Sequence, residues 1–131
     1  MQSLPSRGPP RIVLVDDEDL LSWCIATELE AKGYEVKRAS SYQEGKLALA
    51  QATPDLVICD QGLPDGWGLD LLRQSLDPAA AVPVIMITAF TPPQASELAA
   101  VGARRCLTKP FDLATLKEEV EACLLRNNHF C

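Results

Sequence analysis

Three carboxylates in this sequence stand at the carboxyl ends of apolar runs. Asp16 and Asp17 follow the run Ile12–Val15, and Asp60 closes the run Leu56–Asp60. If the two runs are neighbouring parallel strands, the three acids meet at one rim of a sheet. Two carboxylates about 4 Å apart repel each other by roughly 4 kcal/mol at an effective dielectric constant near 20, so a compensating cation is expected.

Two further residues of suitable chemistry occupy similar places. Thr88 ends the apolar run Pro83–Thr88, and Lys109 follows the short run Arg104–Thr108. Mg²⁺ suits an open site with few carboxylates, several waters and a phosphate oxygen. Lysine adds a point charge and threonine a hydroxyl donor, so metal, lysine and hydroxyl together would hold three phosphoryl oxygens. In that setting an aspartate can attack phosphorus and form an aspartyl phosphate.

Each of these residues, taken alone, also has a structural explanation. An acid after a strand often caps a helix, which would account for Asp16 or Asp17, and Asp60 could open a turn. Thr88 alone is a typical β-branched strand residue, and Lys109 alone is a typical solvated lysine. The functional interpretation depends on their joint spacing, because independent causes would not place all five on one rim.

Apolar periodicity predicts the elements that position these side chains. Strands are predicted at residues 11–15, 34–39, 55–60, 83–88 and 104–108. Helices are predicted at residues 20–32, 42–52, 66–76 and 91–101, and from residue 113 after the cap Asp112. Leu47, Ala48 and Ala52 are expected to form the packing face of the second helix. The alternation predicts an α/β fold with a parallel five-stranded sheet, helices on both faces and ligands beyond the carboxyl ends of the strands.

Length and composition predict one folded domain. The chain has 131 residues, 47% hydrophobic and 23% charged, which is typical of a globular protein. We expect a disordered lead-in at residues 1–10, a domain at residues 11–126 and a tail at residues 127–131. The net charge of −6 opposes direct contact with nucleic acid or an anionic membrane. Without a signal peptide or a membrane-spanning run, a cytoplasmic location is predicted.

The cysteines and the histidine suggest no further chemistry. The five cysteines are odd in number and scattered, which favours reduced thiols over disulfides or a zinc site. They are Cys24, Cys59, Cys106, Cys123 and Cys131. The only histidine, His129, lies in the predicted tail. A phosphoryl donor must therefore be another protein or a small acyl phosphate.

The sequence resembles the response regulator receiver domain (CheY-like) of two-component systems over about residues 11–126. The matching pieces are Val15–Glu18, Cys59–Asp60, Leu63–Asp70, Ile87–Ala89, Gly102–Ala103 and Lys109–Phe111. The resemblance implies a flavodoxin-like (βα)5 doubly wound sheet with strand order 2-1-3-4-5. It also implies that Asp60 is the phosphoacceptor and that the donor is a phosphohistidine on a sensor histidine kinase or a histidine phosphotransfer protein.

The resemblance implies roles for the remaining site residues. Mg²⁺ would be bound directly by Asp17 and Asp60, through water by Asp16, and by the backbone carbonyl of Gly62. Thr88 and Lys109 would bind the phosphoryl oxygens. The Lys109–Pro110 peptide bond would be cis, although only about 5–6% of X-Pro bonds in folded proteins are.

The resemblance also implies a conformational switch. In the family the threonine moves toward the phosphoryl group and an aromatic residue three positions before the lysine turns inward, but this chain has Cys106 there. A thiol fills only a small part of that volume. We expect the surface of the fourth helix, fifth strand and fifth helix to control a partner or effector, and it could form a homodimer. The Leu63–Asp70 run resembles receivers of two-component transcription factors.

Two other classes of protein compete with a signalling receiver. A Mg²⁺-dependent phosphohydrolase with an aspartyl nucleophile usually carries both acids in one Asp-x-Asp loop, whereas Asp16 and Asp17 are adjacent and Asp60 is remote. A flavin-binding electron carrier of the same topology needs a first loop that accepts phosphate, and the acidic loop here repels one. We therefore expect no enzyme, but a module that catalyses only its own phosphorylation and dephosphorylation.

Overall fold

The computed structural model describes residues 8–129, with side chains up to Leu125. Five strands form one parallel sheet: β1 (Arg11–Val15), β2 (Glu35–Ala39), β3 (Leu56–Asp60), β4 (Val84–Thr88) and β5 (Ala103–Thr108). Their order across the sheet is β2-β1-β3-β4-β5. Residues 1–7 of the predicted lead-in and residues 130–131 of the predicted tail lie outside the described part of the chain. The predicted strand order is confirmed.

Five α-helices connect and follow the strands. They are α1 (Asp19–Ala31), α2 (Tyr42–Gln51), α3 (Gly68–Ser75), α4 (Ala95–Ala100) and α5 (Leu113–His129), with a short 3-10 turn at Pro78–Ala80. Gly33 and Gly102, which follow the predicted helices 20–32 and 91–101, adopt the positive φ angles of 95° and 78° that glycine accepts readily. The predicted alternation of strand and helix is confirmed.

Both faces of the sheet are buried along its central strands β1, β3 and β4. On one face Leu14 and Ile58 pack into a core with Ile25 of α1 and Leu116 of α5. The residues that alternate with them, such as Val13, belong to a second core with α2 and α3. Because neither face of the central strands is open to water, polar side chains on them can reach solvent only at the strand ends, whereas the edge strands β2 and β5 expose residues such as Lys37 and Arg105.

The strand register brings the polar ends together. Val15, the last residue of β1, pairs with Cys59, and Asp60 pairs with Ile87 on the other side of β3. Asp16 follows Val15 directly and therefore leaves the sheet beside Asp60. The register thus places the two residues on the same rim, as expected for adjacent parallel strands.

The packing face of α2 differs from the predicted one. Leu47 is 64% exposed, whereas Gly45, Ala48 and Leu49 are buried. The closest approach is at Gly45, where an added Cβ would lie 2.8 Å from Leu71. This approach rotates the helix so that Leu47 points to solvent, and the prediction for Leu47 is wrong.

Helices α3 and α4 begin later than predicted. The chain forms a two-stranded hairpin, Gly62–Leu63 paired with Gly66–Trp67, before α3 starts at Gly68. Helix α4 starts at Ala95, not at Thr91, since residues that precede proline disfavour helical torsion angles. The side chain of Glu97 accepts the N–H of Gln94 at 3.1 Å and thereby marks the start of α4.

Helix α5 is longer than predicted. It continues to His129, past residue 127 where the tail was expected, and no glycine or proline interrupts this stretch.

Within residues 8–129, none of the helices combines the length and the apolar character that crossing a bilayer requires.

Candidate functional site

The structure brings the three predicted carboxylates together. One oxygen from each of Asp16, Asp17 and Asp60 lies within 4.8 Å of the other two. Asp16 and Asp60 are only 1% and 3% exposed, whereas Asp17 is exposed on the rim. Mg²⁺–oxygen bonds are about 2.1 Å long, so opposite ligands of one ion are about 4.2 Å apart. The spacing of the three oxygens is therefore close to what one ion requires, either directly or through a bound water.

Asp16 has an oxygen that lacks a hydrogen bond. Its backbone N–H donates to the carbonyl of Ala39 at 3.0 Å, which extends the β1–β2 ladder by one residue. Oδ1 accepts the N–H of Glu18 at 2.9 Å, but Oδ2 is buried and receives no hydrogen bond from the described residues. Burial raises the pKa of Asp16 to about 6, and the neighbouring carboxylate of Asp60 adds to the shift. A metal ion or a metal-bound water fits this oxygen.

Asp60 ends β3 with both carboxylate oxygens engaged. Oδ1 accepts the backbone N–H of Gly62 at 3.1 Å, and Oδ2 accepts a hydrogen bond from Nζ of Lys109 at 2.6 Å. The backbone beneath it is tightly packed, because a Cβ on Gly68 would lie 2.4 Å from the carbonyl oxygen of Asp60. The Asp60 side chain is thus held by the loop on one side and by Lys109 on the other.

Lys109 balances the negative charge of the site. Its Nζ lies 3.5 Å from a carboxylate oxygen of Asp16 and forms an ion pair with Glu18. The Lys109 side chain is only 12% exposed. Burial by itself would lower the pKa of Lys109, but the hydrogen bonds to Asp60 and Glu18 and the charge of Asp16 outweigh it and raise the pKa above its ordinary value. The Lys109–Pro110 peptide bond is cis. One ammonium group thus faces several carboxylates, so the site keeps a net negative charge that a divalent cation could neutralise.

Thr88 and Phe90 form the next part of the rim. Thr88 is fully buried, and its Oγ1 accepts the N–H of Phe90 at 3.0 Å. Its hydroxyl lies 3.4 Å from the carbonyl oxygen of Phe90. The ring of Phe90 is 63% exposed and lies against Gly62, where an added Cβ would be 3.0 Å from Cε2. The Thr88 hydroxyl would have to leave the Phe90 carbonyl before it could donate to a phosphoryl oxygen.

Cys106 lies in β5 beside Met86 and packs partly against the second core. Burial raises the pKa of its thiol. No disulfide joins the cysteines in the part of the chain that the structure describes, namely Cys24, Cys59, Cys106 and Cys123.

Two residues with clear contacts had no role in the sequence prediction. Glu18 reaches Lys109, and Asp65 reaches the first turn of α2. Both residues lie within the motifs that carry the family resemblance, and this position was the one feature of the sequence that could have indicated a role for them. Their partners are remote in sequence, so spacing alone did not indicate the contacts.

A parallel five-stranded α/β sheet with an acidic rim and a facing lysine is typical of a class of signalling domain, and the sequence can be compared with known families of that class. Residues 12–121 match the family described as the response regulator receiver domain. The chain belongs to this family, and its function is that of a receiver domain of response regulators. The match does not favour a phosphohydrolase.

Individual relatives and structures agree with the family assignment. The KDP operon transcriptional regulatory protein KdpE of Escherichia coli is 36% identical over 119 residues, which are 89% of this chain and 52% of that protein. The chain thus spans about half the length of the curated relatives it matches.

Two solved structures have the same fold. A CheY-like receiver domain protein from Methanospirillum hungatei is 26% identical with a TM-score of 0.87, covering 95% of this chain and all of that one. The response regulator TrrA from Thermotoga maritima, solved in complex with Mg²⁺-BeF, is 30% identical with a TM-score of 0.75. That alignment covers 88% of this chain and 99% of TrrA.

Proposed function

We propose that Asp60 accepts a phosphoryl group from the phosphohistidine of a sensor histidine kinase or a histidine phosphotransfer protein, with Mg²⁺ bound beside it. The observation that carries this proposal is the gathering of three carboxylates within 4.8 Å while Lys109 donates to one of them. A carboxylate triad with a single ammonium group remains negative. The site therefore needs a bound cation. Such a cation would in turn bind the oxygens of an incoming phosphoryl group.

The metal ligands in this proposal are Asp17 and Asp60 directly, Asp16 through water, and the backbone carbonyl of Gly62. The unsatisfied Oδ2 of Asp16 supports this donor set. When bound, Mg²⁺ would neutralise the carboxylates and withdraw charge from the phosphoryl oxygens. The complex of TrrA with Mg²⁺-BeF, in a response regulator of the same fold, is consistent with such a site.

The transfer step is a displacement at phosphorus. A carboxylate oxygen of Asp60 forms the new P–O bond while the P–N bond of the donor histidine breaks, and the imidazole leaves with the electron pair. Nζ of Lys109 would exchange part of its contact with Asp60 for a phosphoryl oxygen, and the Thr88 hydroxyl would donate to another. Positioning and charge neutralisation supply most of the catalysis.

Phosphorylation would act on a partner through α4, β5 and α5. Movement of Thr88 toward the phosphoryl group would change the packing near Cys106, and the α4-β5-α5 surface would then control a partner or effector or form a homodimer. The similarity to KdpE supports a role in transcriptional regulation. Direct nucleic-acid contact by this chain is not part of the proposal, since its net charge is −6.

The proposed organisation is a receiver domain at residues 11–126, flanked by segments 1–10 and 127–131. The domain would act in the cytoplasm, where sensor kinases present their phosphohistidines. It would not turn over free phosphate esters, and its chemistry would be limited to its own phosphorylation and dephosphorylation.

Labelling with a small phosphodonor tests the acceptor. Acetyl phosphate with Mg²⁺ should add one phosphoryl group to the wild-type chain, detected by intact mass, and none to Asp60→Asn. EDTA should abolish the label. Label that survives in Asp60→Asn, in protein with an unchanged circular dichroism spectrum, would remove Asp60 from this role.

A further inference from the structure

Asp65 connects two elements that the sequence treats as separate. It lies in the turn of the hairpin between β3 and α3, and its carboxylate accepts two backbone N–H groups at the start of α2. Oδ1 accepts the N–H of Tyr42 at 2.7 Å, and Oδ2 accepts the N–H of Gln43 at 3.1 Å. The hydrogen bond from Tyr42 is the largest cause of a lowered pKa at Asp65. The ionised carboxylate therefore bridges the hairpin and the amino end of α2.

Side-chain packing reinforces this connection. The ring of Tyr42 lies so close to Gly66 that an added Cβ there would be 2.5 Å from Cδ2. The hydroxyl of Tyr42 donates to Oε1 of Gln74 in α3 at 2.9 Å. The turn of the hairpin is thus seated against α2, with Asp65 providing its charged contact.

The same hairpin leads directly into the acidic site. Its first residue, Gly62, donates its N–H to Oδ1 of Asp60 at 3.1 Å. The hairpin contains only two residue pairs, Gly62 with Trp67 and Leu63 with Gly66. A hairpin of this size has little stability of its own in water. The base of the hairpin is anchored at Gln61, whose carbonyl accepts the N–H of Gly68 at 2.9 Å. The position of Gly62 relative to Asp60 therefore depends on this anchor and on how the far end of the hairpin is held.

We propose that Asp65 is a positioning residue that holds the hairpin so that Gly62 stays in place for cation binding beside Asp60. The inference rests on the proposed function, in which the Gly62 carbonyl is a metal ligand. Asp65 itself would contact neither the cation nor the phosphoryl group. Loss of its carboxylate should loosen the hairpin and weaken Mg²⁺ binding, as mutation of groups that orient metal ligands commonly does by about 10- to 100-fold.

A purely structural role for Asp65 as a helix cap would have a different signature. Ser41 provides the matched control, because its Oγ accepts the N–H of Glu44 at 3.1 Å in the same first turn of α2. Ser41→Ala removes a cap from this helix and leaves the Asp65 bridge in place. The two variants should lose comparable stability, but only Asp65→Ala should lose metal affinity.

Calorimetric titration with Mg²⁺ on the full chain measures the effect directly. We expect the dissociation constant to rise about tenfold in Asp65→Ala and to change less than about twofold in Ser41→Ala. Asp65→Asn keeps an acceptor oxygen but not the charge, and its dissociation constant should fall between those of wild type and Asp65→Ala. This variant decides the matter if Asp65→Ala does not fold.

Hydrogen exchange in EDTA gives a readout that needs no metal. The backbone amides of Gly62 and Trp67 should exchange faster in Asp65→Ala than in Ser41→Ala. Equal Mg²⁺ affinities in the two variants, or equal exchange rates at these amides, would overturn the role of Asp65. Failure of the wild-type chain to bind Mg²⁺ would instead overturn the proposed function, so the two failures are distinguishable.

Discussion

Nζ of Lys109 donates a hydrogen bond to Oδ2 of Asp60 over 2.6 Å, although 49 positions separate the two residues in the chain. The contact joins the ends of two strands, β3 and β5, that lie on either side of β4. Lys109 also pairs with Asp16 and Glu18. One ammonium group thus holds together an acidic rim that would otherwise repel itself.

Removal of this ammonium group should destabilise the metal-free protein. Lys109→Met keeps the apolar stem but leaves the buried carboxylates of Asp16 and Asp60 uncompensated, and breaking a buried pair in this way costs about 3 kcal/mol or more. We expect that loss in the free energy of unfolding, measured with urea in EDTA at pH 7. Lys46→Met, at an exposed position, is the control. Equal stability of the two variants would contradict the compensating role of Lys109.

Asp16→Asn should have the opposite effect on stability. Burial raises the pKa of Asp16 from an ordinary value of 3.8 to about 6, so its charged form is disfavoured in the folded state. At pH 7–8 the folded protein holds this charge at a cost, whereas at pH below about 4 the carboxyl group is protonated in both states. The substitution should therefore raise the free energy of unfolding by about 1–3 kcal/mol at pH 7–8 in EDTA, with the gain shrinking as the pH falls through 6.

The exposed neighbour provides the control for this pH dependence. Asp17→Asn removes one negative charge from the same rim but no buried group, so its gain in the free energy of unfolding at pH 7–8 should be smaller than that of Asp16→Asn. Urea unfolding of both variants at several pH values between 4 and 8 makes the comparison. A gain for Asp16→Asn that persists at pH 4 would show that the buried charge is not its cause.

Glu18→Gln should speed phosphorylation by a small donor. Glu18 pairs with Lys109 and so competes with an incoming phosphoryl oxygen for the ammonium group. Glu18 is largely exposed, and such pairs contribute at most about 1 kcal/mol, which corresponds to a rate increase of about two- to fivefold. The rate of labelling with acetyl phosphate and Mg²⁺ measures it.

A second exposed pair separates this effect from a general change in charge. Glu35→Gln removes a carboxylate that lies 3.3 Å from Arg11 at the opposite end of the sheet, and it should leave the labelling rate unchanged. High salt should reduce the difference between Glu18→Gln and wild type, because screening weakens exposed pairs. Equal rates in both variants would show that Glu18 does not restrain Lys109.

Gly68→Ala should damage the site through the backbone. The added Cβ would lie 2.4 Å from the carbonyl oxygen of Asp60, and neither atom can move without shifting β3 or α3. We expect a loss of about 1–3 kcal/mol in the free energy of unfolding. Weaker Mg²⁺ binding by calorimetry should accompany it.

Gly62→Ala is the corresponding substitution with a movable neighbour. Its Cβ would lie 3.0 Å from the exposed ring of Phe90, which can turn away. We therefore expect nearly wild-type stability for Gly62→Ala by urea unfolding. A larger loss for Gly62→Ala than for Gly68→Ala would contradict the packing described at these two glycines.

The amino-acid sequence was sufficient to predict the family, the strand order and the meeting of the acids on one rim. The family and, through it, the strand order were inferred from the resemblance of the motifs. The meeting of the acids follows from the order of apolar runs, since right-handed connections between parallel strands place their carboxyl ends at one edge. The proximity of the acids at the ends of β1 and β3 could therefore be predicted from the sequence. Two element boundaries differed from the prediction for different reasons. The chain at Gly66 packs against Tyr42, a residue remote in sequence, whereas the prolines after Thr91 delay the start of α4 locally.

Side-chain partnerships were decided only by the tertiary structure. The rotation of α2 that exposes Leu47 depends on how closely Gly45 approaches Leu71, and no periodicity within α2 contains that information. Likewise, Glu18 on Lys109 and Asp65 on the first turn of α2 join segments 91 and 23 positions apart. A pattern within one segment specifies which face of an element is apolar, whereas the distance between two charged groups exists only once the whole chain is packed.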